Sequence, residues 1–352
     1  MHLEIDRSDI TSTRVVLTEM PLVAPAESVV LRIDAFALTS NNVSYAVAGD
    51  FLDYWGFFPA SEPGWGRLPV MGFATVTASD VAGVDVGSRW FGFYPAADHH
   101  VVRPVVRNGG MVDMAEHRAA HAPAYRQFDP ADPAASDDDE AYYLLLRGLF
   151  ITSHLCEDFL RDNDMFGAEQ VLVTSASSKT SIALAHELRV QGSARSVGLT
   201  SARNLEFVIG TGLYDQVITY DQIESLPVAS SVVVDMAGNA EVLRRVHEHF
   251  GAALGHSCRV GATHWDAGGA LQGLPGPEPQ FFFAPSQLVK RGKEWGREEL
   301  NSRMQTALGV FTADAHRWLH VERGRGDDAV RSTWTTLVSG TIDPAAGHVL
   351  AF

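Results

Sequence analysis

The stretch VLVTSASSKTS, residues 171–181, is the part of the sequence that decides the fold. Its first residues are apolar without interruption, which is typical of a strand buried on both faces of a sheet. Small hydroxylated residues follow, and over 179–190 apolar residues recur at helical spacing. A buried strand, a short turn and a helix form the first half of a βαβ unit, so this stretch predicts the start of a parallel sheet.

The alternation of strand and helix continues downstream. Further strands are predicted at 196–200, 216–220, 231–235, 257–261 and 281–283, with helices at 202–209 and 239–250. Apolar strands separated by helices predict an α/β fold with a doubly wound parallel sheet of the Rossmann type.

The chain on either side of this region has other patterns. Short β-branched and aromatic runs at 29–36, 68–76 and 87–94 predict a small β-rich domain. An acidic, proline-punctuated stretch at 129–140 predicts a solvated loop, and a helical pattern follows at 141–162. The last part is predicted to hold helices at 298–320 and 327–339 and an apolar tail at 347–352 that could add a strand.

The composition limits the possible functions. The chain has 352 residues, 46% of them hydrophobic and 20% charged, which is enough for two hydrophobic cores. A net charge of −16 argues against nucleic acid and anionic membranes as partners. With only two cysteines, Cys156 and Cys258, we expect neither a disulfide framework nor a cysteine-rich zinc site. A signal-peptide pattern is absent and no apolar run approaches the roughly 20 residues that cross a bilayer, so we expect a cytoplasmic protein.

The turn after the first buried strand is a candidate phosphate site. In doubly wound folds, a helix N-terminus at this turn presents backbone N–H groups and a helix dipole to the diphosphate of a dinucleotide. Glycines usually occupy such a turn. Here the candidate ligands are hydroxyl groups and one cation: Ser175, Ser177, Ser178, Lys179, Thr180 and Ser181. Serines and threonines before a helix are also typical of an N-cap, so on this pattern alone both interpretations stay open.

The end of the second strand bears on the choice between NADP and NAD. An Asp or Glu there would bind the ribose 2′-hydroxyl of NAD, but the sequence is TSARN at 200–204, with no carboxylate before Glu206. Ser201 and Arg203 supply the hydroxyl and the bidentate cation that a 2′-phosphate requires. The alternative is that Ser201 caps a helix and Arg203 is solvated. Together with the upstream turn, these residues favour NADP(H).

Four passages, taken with the order of the parts, resemble the medium-chain dehydrogenase/reductase superfamily. They are similar to its first Rossmann strand and turn, the passage before its third strand, its Asp-x-x-Gly signature and the glycine after its fifth strand: 171–177, 206–218, 233–239 and 260–262. The resemblance implies a β-rich GroES-like catalytic domain at 1–140, a Rossmann cofactor-binding domain at 141–287 and a return to the first domain at 288–352. It adds Ala237 and Gly261 to the cofactor-binding candidates, and it implies a homodimer, since relatives often dimerise.

Two departures narrow what the resemblance implies. The three glycines of the superfamily's turn are replaced by Ser175, Ser178 and Ser181. The zinc-type Gly-His-Glu signature, its nearby cysteine ligand and the four-cysteine lobe are missing, so catalytic zinc is not expected. The implied relatives are zinc-free quinone and enoyl reductases, and we predict an NADPH-dependent oxidoreductase acting on an apolar carbonyl, enone or quinone-like small molecule. The alternative is a non-redox protein of the same fold, a lyase or an NADP-binding sensor, that has lost hydride transfer.

Hydride transfer to a carbonyl leaves an oxyanion that needs a proton or hydrogen-bond donor. The resembling fold places the substrate near the loop 39–50, so Tyr45 and Tyr54 are candidate donors. His264 follows the fifth predicted strand, at the edge where ligands bind in such sheets. For each residue the alternative is structural: core packing for the aromatic rings and an ordinary loop position for the histidine. The histidine pair 99–100 lacks a third metal ligand and is predicted to lie at the surface.

Overall fold

The structure is a computed structural model that describes residues 1–236, 238–260 and 272–352. Its first part is rich in short strands, because β-branched and aromatic residues fit a pleated, half-buried surface. The strands are β1 (His2–Asp6), β2 (Thr13–Val16), β3 (Val29–Leu38), β4 (Trp65–Arg67), β5 (Pro69–Ser79), β6 (Arg89–Pro95), β7 (His99–Val102), β8 (Pro104–Arg107), β9 (Gly110–Asp113) and β10 (Gln127–Pro130). Helix α1 (Ser40–Val47) follows β3.

The second part alternates helix and strand. Its elements are α2 (Asp137–Asp162), β11 (Gln170–Val173), α3 (Lys179–Gln191), β12 (Arg195–Thr200), α4 (Leu205–Thr211), β13 (Gln216–Thr219), β14 (Ser231–Asp235), α5 (Ala240–Phe250), β15 (Leu254–Arg259) and β16 (Gln280–Phe281). The strands pair in parallel in the order β13-β12-β11-β14-β15-β16. The predicted α/β fold with a doubly wound sheet is confirmed. Chain order reverses between β11 and β14, and ligands of such sheets bind at the carboxyl ends of strands at that reversal.

The last part returns to the strand-rich region. Its elements are α6 (Ala284–Glu294), α7 (Arg297–Ala315), β17 (His320–Arg325), α8 (Asp327–Val338) and β18 (Ala346–Ala351). The apolar tail forms β18, which pairs antiparallel with β3. The nine-stranded sheet thereby runs β17-β18-β3-β5-β6-β10-β9-β8, with β7 also paired to β3, and a separate sheet runs β2-β1-β4. None of the described helices is long and apolar enough to cross a bilayer.

The chain divides into two compact units, and the second is inserted in the first. Unit 1 comprises Met1–Leu145 and Val321–Phe352, and unit 2 comprises Leu146–His320. The return to the first unit therefore starts later than residue 288, where the sequence analysis placed it. The reason is local packing: Gln287 and Arg291 of α6 both donate hydrogen bonds to the buried Asp158 carboxylate of α2, at 2.6 Å each, which fixes α6 in unit 2.

Several local predictions were wrong. The segment after β3, predicted as a loop, is helix α1, because Thr39 and Asn42 form a capping box at its N-terminus. The predicted acidic loop at 129–140 contains the end of β10 and the first turn of α2, where acidic residues complement the helix dipole. The histidine pair 99–100 lies in β7 rather than in a surface loop, because it pairs with β3.

Candidate functional site

The carboxyl ends of β11 and β14 are tied together at the point where chain order reverses. The Thr174 hydroxyl donates to Asp235 Oδ1 at 2.7 Å and accepts from the Met236 N–H at 3.0 Å. The Gly238 N–H also donates to Asp235 Oδ1, at 3.2 Å. Thr174 and Asp235 are 1% exposed, so these bonds are protected from water and hold the edge of the sheet rigid.

The turn after β11 is closed by its own serines. Ser175, at the position of the first missing glycine, takes a left-handed backbone with φ of +49°. Ser178 caps α3: its hydroxyl oxygen accepts from the Ser181 N–H at 3.1 Å and its O–H donates to Ser181 Oγ at 2.8 Å. The Ser181 hydroxyl donates in turn to the Thr174 carbonyl at 2.9 Å. The hydroxyls at the second and third missing glycines therefore stabilise the turn itself, so the capping interpretation is realised at Ser178. The phosphate interpretation stays a prediction.

Backbone donors remain at the N-terminus of α3. Among the described residues, none accepts a hydrogen bond from the N–H groups of Ser177 and Thr180. The Ser177 and Thr180 residues are partly exposed, as is Lys179 between them in the chain. Two available N–H groups at the positive end of a helix dipole are the arrangement that binds phosphate groups.

Two tyrosines hold the turn after β11 in place. Neither was predicted from the sequence as a site residue. The Ser175 N–H donates to the Tyr220 hydroxyl at 3.2 Å, and the Tyr214 hydroxyl donates to the Ala176 carbonyl at 3.0 Å. Ala176 fits against β12 because Gly198 has no side chain; a Cβ there would lie 3.0 Å from both Ala176 Cβ and the Tyr214 ring. Tyr220 directly follows β13 and therefore lies at the carboxyl edge of the sheet. That position was the one feature of the sequence that could have predicted Tyr220 as a site residue.

The end of β12 lies beside this turn. The Asn204 side chain donates to the Ser177 hydroxyl at 2.8 Å, which connects the two segments. Ser201 precedes a short 3-10 helix without capping it by its side chain, so the capping alternative for Ser201 is not realised. Arg203 is exposed, with its Nε 3.5 Å from Asn204 Oδ1. The structure thus brings the predicted ribose end and the predicted phosphate turn together. Ala237, Gly261 and His264 lie outside the described residues.

In unit 1, Tyr45 and Tyr54 form one aromatic cluster. Their ring centroids are 4.6 Å apart, and the Tyr54 hydroxyl lies 3.4 Å from the hydroxyl of Tyr125. Phe57, Phe58 and Phe93 are the buried residues of this cluster, against which the three tyrosines and Met71 pack. Tyr125 was not predicted from the sequence, because it lies far from the other two tyrosines in the chain.

Burial keeps these phenols protonated. It raises the pKa of Tyr45 and, with the neighbouring Tyr125, raises the pKa of Tyr54 well above the usual value. Both residues nevertheless remain partly exposed. They can therefore donate hydrogen bonds at neutral pH but are poor sources of a free proton.

A buried arginine anchors the cluster. Arg118, 1% exposed, donates to the carbonyls of Phe57, at 3.1 Å, and of Tyr125. Its guanidinium lies 4.7 Å from the centroid of the Phe57 ring and 4.8 Å from that of Phe58. Burial lowers the pKa of Arg118 to about 10, so it is still charged at neutral pH.

A second contact orients the chain just before Tyr54. His121 lies with its Nε2 2.9 Å from Asp53 Oδ2 and its ring 4.4 Å from that of Phe57. Asp53 has a left-handed φ of +56°, and Gly56 leaves room for its carboxylate, since a Cβ there would lie 2.3 Å from Asp53 Oδ1. Asn42, by contrast, is buried and bonded to the Pro69 carbonyl at 2.8 Å, so its amide is structural.

Comparison with solved structures shows the same architecture over nearly the whole chain. The crystal structure of CurA from Vibrio vulnificus in complex with NADPH has a TM-score of 0.57 and 13% identity, covering 96% of this chain and 94% of that one. The YhdH oxidoreductase from Salmonella enterica in complex with NADP has a TM-score of 0.56 and 12% identity, covering 97% and 95%. The quinone oxidoreductase from Coxiella burnetii has a TM-score of 0.57 and 15% identity, covering 100% and 98%.

The chain therefore has the fold of the medium-chain dehydrogenase/reductases, as the sequence resemblance predicted. At these low identities the likeness concerns the fold alone. The chain belongs to the family described as "Protein of unknown function (DUF2855)", whose profile matches residues 36–343. No curated protein matches it.

Proposed function

We propose that this protein binds NADP(H) at the turn after β11 and reduces an apolar carbonyl, enone or quinone-like compound. The observation that carries the proposal is the pair of available backbone donors, Ser177 and Thr180, at the N-terminus of α3 and at the strand-order reversal. Two solved structures with this fold are complexes with NADPH and NADP, which supports the choice of cofactor.

The residues at the turn suit a dinucleotide without the usual glycines. The N–H groups of Ser177 and Thr180 would donate to the diphosphate, and Lys179 would add positive charge. The Tyr220 oxygen accepts from the Ser175 N–H at 3.2 Å and lies 3.5 Å from Ser175 Oγ, so its O–H would have to turn from that hydroxyl to donate to a phosphate oxygen. When bound, NADPH would supply the hydride.

We assign recognition of the 2′-phosphate to Ser201 and Arg203. The Asn204–Ser177 bond places the segment after β12 next to the phosphate turn, as binding to one nucleotide requires. Arg203 is exposed and can reorient, and a guanidinium binds a phosphate bidentately.

The tyrosine cluster would stabilise the charge that hydride addition creates. The Tyr54 and Tyr125 hydroxyls lie 3.4 Å apart, and two converging phenol donors suit an oxyanion or enolate. Because their protons are held firmly, water would complete the protonation of the product. The aromatic faces of Tyr45 and Tyr54 favour an apolar, planar substrate. We propose a metal-independent reaction, in which these phenol donors would stabilise the developing negative charge.

Titration of the purified chain with NADPH and with NADH, followed by fluorescence, tests the cofactor assignment. Arg203→Ala should weaken NADPH binding by about 1–3 kcal/mol and leave NADH binding unchanged, because only NADPH has the 2′-phosphate. Arg195→Ala is the matched control: Arg195 lies at the other end of β12, where it donates to Gln216 Oε1 at 2.9 Å. Failure of both nucleotides to bind below the millimolar range would remove the proposal.

Loss of NADPH absorbance with a panel of enones, quinones and aldehydes tests the reaction. Turnover of at least one class is expected. Tight binding of NADPH without any turnover would favour the non-redox alternative, a lyase or a sensor.

A further inference from the structure

Arg259 is a cation without a counter-ion at the carboxyl edge of the parallel sheet. It is the last residue of β15 and is partly exposed. Its Nε–H is buried without an acceptor, and within the described part of the chain its guanidinium forms no ion pair and donates no hydrogen bond. Asp and Glu outnumber Lys and Arg by 43 to 27, so a scarcity of carboxylates does not explain why Arg259 lacks one.

Backbone bonds fix the position of this residue. Arg259 is the register partner of Asp235 on β14 and of Phe281 on β16. The Val260 N–H donates to the Asp235 carbonyl at 2.9 Å, and the Phe282 N–H donates to the Arg259 carbonyl at 2.8 Å. Because β15 is two strands from β11, roughly 10 Å away, Arg259 lies at the same edge as the phosphate turn. Ligands of doubly wound sheets bind at this edge.

The side chain of Arg259 lies on the face of the sheet that α5 covers. Side chains alternate along a strand, so Arg259 shares its face with Ser257, whose hydroxyl lies 2.9 Å from His247 Nε2 on α5. Since α5 follows β14, its N-terminus lies at the carboxyl edge and adds the positive end of a helix dipole there. This face of the edge therefore favours a negatively charged group.

Two carboxylates at this edge are engaged elsewhere. Asp235 Oδ1 holds the two hydrogen bonds described above, and Glu241 in the first turn of α5 forms an ion pair with Arg244 at 2.6 Å. Neither forms an ion pair with Arg259. A half-buried cation that no carboxylate of the described chain compensates costs free energy, which a bound anion would recover.

We propose that Arg259 binds an oxyanionic group, a carboxylate or a phosphate, of a ligand at the carboxyl edge. A guanidinium binds either group through two parallel N–H donors. The inference rests on the proposed function for its two sources, the diphosphate of NADP(H) or a carboxylate of the substrate. With the ribose end assigned to β12, the other half of the dinucleotide would extend over β14 and β15. The second source would narrow the substrate to a carbonyl or enone compound that carries an acidic group.

Two binding measurements distinguish the sources. Wild type and Arg259→Met, which keeps an unbranched stem without the charge, are titrated with nucleotides by fluorescence and with benzoate by saturation-transfer NMR. If the diphosphate is bound, Arg259→Met should weaken NADPH and NADH binding alike by about tenfold, because both carry that group. If a substrate carboxylate is bound, nucleotide affinity should hold and benzoate affinity should fall by about tenfold.

Matched controls accompany these titrations. Benzyl alcohol, the neutral probe, should not distinguish wild type from Arg259→Met. Arg259→Lys keeps the charge and should restore affinity to within about threefold of wild type. Arg195→Met makes the same substitution at the amino end of β12 and should change neither affinity.

The outcomes separate this inference from the proposed function. Unchanged nucleotide affinity in Arg259→Met, with benzoate binding absent or unchanged, overturns the inference. Failure of wild type to bind either nucleotide removes the proposed function, whereas the benzoate titration still decides on Arg259.

A measurement on wild type keeps the test independent of how the variants fold. Phenylglyoxal modifies accessible guanidinium groups, and peptide mass spectrometry locates the modified arginines. Arg259 should be modified in the free chain, and saturating NADPH or benzoate should slow that modification several-fold. Modification of Arg259 that neither ligand slows contradicts the inference.

Discussion

The phosphate turn of unit 2 and the tyrosine cluster of unit 1 are built in opposite ways. The turn is made mostly by neighbouring residues: Ser178 caps α3 and Ser181 bonds back to Thr174. The cluster brings together Tyr45, Tyr54 and Tyr125 from separate segments and depends on side-chain packing. Local construction tolerates loss of one contact, whereas the cluster depends on the residues that anchor its segments.

The largest expected effect is therefore at Arg118. Arg118→Ala would leave two carbonyl groups without their donor and remove the cation from the Phe57 and Phe58 rings, so the free energy of unfolding should fall by about 2–4 kcal/mol. Urea unfolding followed by fluorescence measures it. Arg107→Ala, at an exposed position of β8, is the control and should change stability by less than about 0.5 kcal/mol.

The same variant tests whether the tyrosine cluster influences NADPH binding at the phosphate turn. If the cluster and the turn are independent, Arg118→Ala should leave NADPH affinity within about twofold while abolishing turnover. A large loss of NADPH affinity in a folded variant would show that the two regions are coupled.

The next effect concerns the phenol donors. Tyr54→Phe and Tyr125→Phe should each lower kcat by about 10- to 100-fold with little change in KM, because a hydrogen bond to the oxyanion forms only as charge develops. Steady-state kinetics on a substrate found in the panel measures this. Tyr94→Phe removes a phenol hydroxyl in the same unit that donates to the Trp90 carbonyl at 3.0 Å, and it should retain kcat. Unchanged kcat in both cluster variants would rule out the assigned donors.

The phosphate turn could be predicted from the sequence more completely than the tyrosine cluster, for physical reasons. Strand and helix periods depend on local apolar spacing, so the doubly wound sheet and the turn at Thr174–Lys179 could be read directly. Tyr125 and Arg118 follow β9 in a segment without periodicity, and only tertiary packing brings them to Tyr54. Tyr220 was accessible in principle, since it ends a predicted strand, but its bond to Ser175 requires the strand order.

Within the phosphate turn, loss of the Ser178 cap should have a smaller effect on stability. Ser178→Ala removes the acceptor for the Ser181 N–H and should lower stability by about 1 kcal/mol. NADPH affinity should fall by less than about fivefold, because the N–H groups of Ser177 and Thr180 remain. Ser178→Thr keeps the hydroxyl and should restore most of the stability. A loss of NADPH binding in Ser178→Ala alone would mean that this hydroxyl contacts the nucleotide, contrary to its internal role.

The smallest effect expected is a pH dependence of the stability of unit 1. Burial, with the charges of Arg118 and Arg67, lowers the pKa of His100 to about 3, from an unfolded value of 6.5. Because the pKa of His100 is lower in the folded chain, the unfolded chain takes up a proton at a higher pH than the folded chain does. Neutral His100 therefore costs no stability above pH 6.5, and the free energy of unfolding falls as the pH falls from 6.5 toward 3. His100 is partly exposed and its ring packs 5.0 Å from Phe58, so solvent reduces the effect to about 0.5–1 kcal/mol at pH 5.

His100→Phe should remove that part of the pH dependence. Urea unfolding at pH 7.5 and at pH 5 measures the difference for wild type and variant. His117→Gln should reduce the slope only in part, because the charge of His117 is one of the smaller causes that lower the pKa of His100. If His100→Phe keeps the full loss of stability between the two pH values, the group whose titration lowers the stability is not His100.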